Sequence, residues 1–147
     1  MKTDVMTLSL LMVAGSPAAA MAQGCTEAET ALRAEARILG PMLTEMTTIT
    51  NDYNAKQKQI TDLYDYLYYY YLDITASEQE MVNGLEAGKA ELKVRYDELM
   101  SKALPYDAKV TDLTKAYEAA CAPTANAAAL LNEYDIRILT DAEKAQQ

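Results

Sequence analysis

The chain has 147 residues and a net charge of −9, with 22 acidic against 13 basic side chains, 11 tyrosines and no histidine, tryptophan or phenylalanine. No basic stripe exists to neutralise phosphates, which sets nucleic-acid binding aside and disfavours an anionic membrane surface. Without histidine there is no Ser-His or Cys-His nucleophile pair and no imidazole metal ligand, so neither a catalytic residue nor a cofactor is expected.

The first residues, Met1 to Asp4, precede an apolar stretch from Val5 to Ala14 and a small-residue run ending in Ala20, Met21 and Ala22. This pattern is that of a secretory signal peptide over residues 1–22, cleaved before Gln23, because the apolar run is too short to span a bilayer. Removing it takes Lys2 and Asp4 together and leaves the charge at −9. About 125 residues remain, enough for one helical domain over 23–147. No later segment is apolar enough to insert in a membrane, so the expected location is periplasmic or secreted.

Cys25 and Cys121 are the two cysteines of the chain, and export places them where disulfides persist. A competing reading takes Ala22, Gln23, Gly24 and Cys25 as the box before a lipidated cysteine. That box departs from the lipoprotein pattern at Ala22 and Gln23, and lipidation would leave Cys121 unpaired.

The first helix is expected over about 26–73, opened by a capping box of Thr26 with Glu29 and broken at Gly40 and Pro41. Every seventh residue from Leu32 is apolar: Leu39, Met46, Tyr53, Ile60, Leu67 and Ile74. The companion column mixes Ala36, Leu43, Tyr64 and Tyr71 with Thr50 and Gln57, so its middle should pack less tightly.

A tyrosine-rich stretch ends this helix, with Tyr64, Tyr66 and Tyr68 to Tyr71 inside eight residues. If Ile60, Leu67 and Ile74 face inward, then Tyr68, Tyr69 and Leu72 face outward and become the candidate partner-binding residues. An exposed patch of this kind anchors partners because rigid rings bury much area at low entropic cost. Burial of the same rings in a wider core, or a β-prone strand, are the competing readings.

The second helix is expected over about 77–121, opened by Ser77 with Glu80 and broken near Pro105. Its seam holds Leu85, Leu92, Leu99, Tyr106, Leu113 and Ala120, with Val82, Tyr96, Ala103, Val110 and Tyr117 completing a 3-4 spacing interrupted only at Lys89. A sustained 3.5-residue period is a coiled-coil seam.

Folding the chain between Asp73 and Ser77 brings residues whose numbers sum to about 146 level. Cys25 then meets Cys121 and Pro41 meets Pro105. The expected fold is therefore all-α: a long antiparallel helical hairpin, coiled-coil-like and stapled at its open end. A shorter third helix over about 124–145 follows, with Ala127, Leu131, Tyr134, Ile138 and Ala142 on one face. The alternative is a compact four- or five-helix bundle with the prolines at corners.

Asp62, Asp65 and Asp73, or Glu27 and Glu29, lack any calcium-loop spacing, and Met42, Met46, Met81 and Met100 are too scattered for a copper site, so no metal is expected. The function these features suggest is that of a non-enzymatic envelope protein that meets a protein partner or a second copy through the tyrosine tip. A lipid-anchored spacer and a bundle binding an apolar ligand are the alternatives.

Overall fold

The structure, a computed structural model, describes residues 17–137, with side chains from residue 23 onward; residues 1–16 of the expected signal peptide and the expected third-helix positions Ile138 and Ala142 lie outside the described residues. Helix α1 spans Pro17–Tyr69, α2 spans Ala76–Cys121 and α3 spans Ala127–Asn132. The first two pack along their length as an antiparallel hairpin, each arm roughly 70 Å long at 1.5 Å per residue. Among the described residues there is no strand. The hairpin, not the compact bundle, is the fold.

The heptads explain the packing. Leu32, Ala36, Leu39, Met46, Ile60 and Leu67 of α1 are buried, facing Val82, Ala103, Val110 and Tyr117 of α2. The core is densest at the stapled end, where Leu32, Leu39 and Leu131 are the largest fully enclosed side chains. It thins towards the turn, as the polar companions Thr50 and Gln57 imply. A cleft of about 400 Å³ opens beside this weak stretch, lined by Ile49, Thr50, Tyr53, Leu92, Lys93, Tyr96 and Asp97.

Register is fixed at the base and in the middle. Cys25 and Cys121 are joined by a disulfide of 2.04 Å. Lys89, the one interruption of its seam, is buried at 7 % exposure, and its ammonium donates to Gln57 of the facing arm, binds Glu86 at 3.1 Å and lies 5.0 Å from the centre of the Tyr53 ring. Gln57 and Lys89 satisfy the same sum of 146 as the cysteines. Two of the three polar seam positions, Gln57 and Lys89, are thus partners, while the Thr50 hydroxyl donates to the Met46 carbonyl of its own helix at 2.9 Å. Arg95 bridges across the arms to Glu45 at 2.8 Å, and Lys109 reaches Glu35 at 3.8 Å.

Four local expectations are corrected. Helix α1 already includes Thr26 and Glu29, so they do not open it; Glu29 pairs instead with Arg33 at 2.8 Å. The box that opens α2 is Thr75 with Glu78, two residues before Ser77, since both pairs fit the same pattern and Thr75 is the one with extended backbone. Neither Pro41 nor Pro105 breaks its helix. A proline removes one hydrogen bond at a cost of about 3 kcal/mol. Here buried residues on both sides, Leu39 and Met46 or Ala103 and Val110, keep each helix on its partner past the defect.

Helix α2 does end at Cys121, because Pro123 holds Ala122 extended. The fourth correction concerns α3, which stops at Asn132 because Asp135 takes a left-handed φ of 58° and the Ile136 and Asp135 amides return to the Leu131 and Asn132 carbonyls. This short cap closes the stapled end. Tyr134 packs so closely over Gly40 that a Cβ there would collide with the Tyr134 carbonyl oxygen. Arg33 holds the cap from α1, donating to Glu133 at 2.6 Å and to the Tyr134 hydroxyl at 3.4 Å.

The Arg33 guanidinium keeps the Glu133 carboxyl below its ordinary value. A depressed folded pKa means that this tether is complete above the unfolded value and is lost as pH falls through the folded one. Below about pH 4.5, the ordinary value for this carboxyl, amide exchange at Leu130 to Ile136 should accelerate ahead of exchange in the arms. In Glu133→Gln that acid step should be missing; if it persists unchanged, the tether is not its source.

Candidate functional site

At the end opposite the disulfide, α1 stops two residues after Leu67, the last of its buried seam positions, and the way it stops decides the surface. The Leu72 amide returns to the Leu67 carbonyl at 2.9 Å and the Tyr71 amide to the Tyr68 carbonyl at 3.3 Å, with Tyr71 at φ 53°. This is a Schellman ending, in which the left-handed position usually belongs to glycine because a Cβ crowds the backbone there. The Thr75–Glu78 box then starts α2, and its hydrogen bonds to Thr75 hold the Glu78 carboxyl below its ordinary value.

Between these two caps and along the last turns of α1, every tyrosine of the stretch lies on the surface. Tyr71 is 95 % exposed, Tyr68 84 % and Tyr69 75 %, with Tyr64, Tyr66, Tyr70 and Leu72 about half exposed. The candidate residues Tyr68, Tyr69 and Leu72 are therefore brought together at one tip, turned outward over buried Leu67 and half-buried Ile74. The Tyr70 ring is shared, tilted against Tyr66 and edge-on to Tyr69, with centroids 4.9 Å apart in both pairs. Such offset and edge contacts favour the clustering of Tyr66, Tyr69 and Tyr70.

Tyr64 and Tyr71 depart from their seam assignment. Because α1 ends at Tyr69, Tyr71 has left the helix before its heptad position is reached, and Tyr64 stays 45 % exposed beside the thinning core. Among the described residues no core forms around Tyr64 and Tyr71. Tyr71 was the residue hardest to find from the heptads alone. The signal was present in Thr75 and Glu78, which move the turn towards it.

An aromatic side chain at a left-handed position costs stability and contributes nothing to the core. Tyr71→Gly is accordingly expected to raise stability by about 1 kcal/mol, read as a higher urea midpoint at unchanged slope. A lower midpoint would mean that the ring makes contacts its exposure conceals.

The other predicted pair, Cys25 and Cys121, is bonded at the far end and so is not part of this site. That bond uses the thiol that lipidation would need. It suits an oxidising compartment, and no helix among the described residues is long and apolar enough to cross a membrane. Among the described residues no three His, Cys, Asp or Glu side chains group closely enough to hold a metal ion.

Fold and site together define an all-α antiparallel hairpin with a disulfide at its base and an aromatic tip. No known protein family, no characterised protein and no solved structure matches the chain.

Proposed function

We propose that this is an exported, non-enzymatic interaction protein of the bacterial envelope, periplasmic or secreted, that meets a protein partner or a second copy through its tyrosine tip. Export is supported by the signal-peptide pattern of residues 1–22 and by the disulfide that closes the base. The interaction role rests on one observation above all: Tyr71 holds an aromatic ring in solvent at a backbone position that favours glycine. Conformational cost of that kind persists where a surface is used.

The test is photocrosslinking in the producing cells. A photoreactive phenylalanine at position 68 should give covalent adducts, while the same group at the exposed position 102 on α2 should give none. Equal yields from the two positions, or no adduct from 68, would remove the tip from the mechanism. Intact mass of the recovered protein checks export: the chain should begin at Gln23 and gain about two daltons on reduction.

A further inference from the structure

Resting on the tip as an interaction surface, we infer that its partner is a cationic protein segment, rich in arginine and lysine, whose charged groups lie over the tyrosine faces. Residues 59–88, which form the turn and the adjoining parts of both arms, contain six carboxylates and no lysine or arginine. Asp62 is paired with Lys58 and Glu86 with Lys89, both cations lying just outside this segment, and Glu78 is engaged in its cap. Asp65, Asp73 and Glu80, the other three, are exposed.

The rings have matching chemistry. A tyrosine face attracts an ammonium or guanidinium within about 6 Å of its centroid. The arms already use this contact, with Lys89 over Tyr53 and Lys109 5.4 Å from the centre of Tyr106. At the tip the chain supplies no cation of its own between Lys58 and Lys89, so faces and carboxylates are left for one from outside.

The exposed ring area is ample for a partner segment that wraps the tip. At about 150–250 Å² per ring, six tyrosines exposed by 45–95 % sum to roughly 600–1,000 Å² around the end of the hairpin. The largest apolar patch on an ordinary monomer is about 300–600 Å², and a stable interface takes about 800 Å² from each partner. A second copy would cover the same area but bring two anionic tips within a screening length of about 8–10 Å. Charge therefore selects the basic partner over self-contact.

The probe is a decaarginine peptide, with decaglutamate as control, titrated into the disulfide-bonded full chain and followed by tyrosine fluorescence and by amide shifts. Decaarginine should bind, weaken with added salt, and shift the amides of Tyr66 to Asp73; decaglutamate should not bind. Tyr68→Ser with Tyr69→Ser should weaken binding at least about tenfold at unchanged helicity. Asp65→Asn with Asp73→Asn should weaken it several-fold.

Absence of binding overturns the inference, and so does binding that the tyrosine changes leave intact, which would be diffuse attraction to an acidic protein. Tip-dependent dimerisation that excludes the peptide would overturn it too. In these cases crosslinks from position 68 would still uphold the tip as an interaction surface, whereas their absence would sink both readings.

Discussion

Cys25→Ser with Cys121→Ser is expected to lower the thermal midpoint by on the order of 10 °C, and reduction of the native bond should do the same. The two cysteines are 96 positions apart, so the bond closes nearly the whole hairpin. In the chain-entropy model a loop of that size contributes up to about 4.7 kcal/mol, and measured losses run at about 2–5 kcal/mol. Each kilocalorie moves the midpoint of a chain this size by roughly 2–8 °C. A thin two-helix arrangement has little interior to absorb the change. A shift below about 2 °C would show that Leu32, Leu39 and Leu131 close the base without the bond.

The second large effect is one of sign. Gln57→Leu alone should destabilise the hairpin by about 1–3 kcal/mol, because the buried Lys89 ammonium loses an acceptor while keeping its charge. Gln57→Leu with Lys89→Leu removes the buried amine together with its acceptor and should instead stabilise, by about 1 kcal/mol because position 57 itself is exposed. Urea denaturation of the two single variants, the double and the parent forms a complete cycle. The apolar double should also lose specificity: with the amine gone, sliding one arm by a heptad or pairing arms between chains no longer buries an unmatched charge. A double variant less stable than the parent would mean that Glu86 and Tyr53 make the lysine a net contributor.

This pair also shows how far the heptads could be read. They located the buried faces, since Leu32, Leu39, Met46, Ile60 and Leu67 all fall inside, and the sum of 146 paired the cysteines correctly. The same sum pairs Gln57 with Lys89, yet each looked like an isolated flaw in its own column. A flaw becomes a contact only once both arms are placed side by side.

Helix ends were less legible because they depend on competition between neighbours. Thr75 with Glu78 and Ser77 with Glu80 offer overlapping boxes, and backbone geometry, absent from sequence, chooses the first. That shift of two residues is what frees Tyr71. The prolines misled for a related reason: a local cost of a few kilocalories is visible in the residue, whereas the packing that outweighs it is spread over the opposite helix. Tyr68 and Tyr69 were readable as outward because they depend on period alone, whereas Leu72 lies past the helix end and owes its half exposure to the cap.

The position of the disulfide has a mechanical consequence. The chain enters the paired arms just before Cys25 and passes from α2 into the cap just after Cys121, with the bond directly between these two points, so a pull on the chain first draws the cap from the base. Tension applied along the chain from one side to the other therefore runs through the two sulfur atoms and bypasses the arms, the turn and the tip. The hairpin hangs from the load path as a side branch, so stretching the protein by its ends would leave the tyrosine surface in shape until a covalent bond gave way.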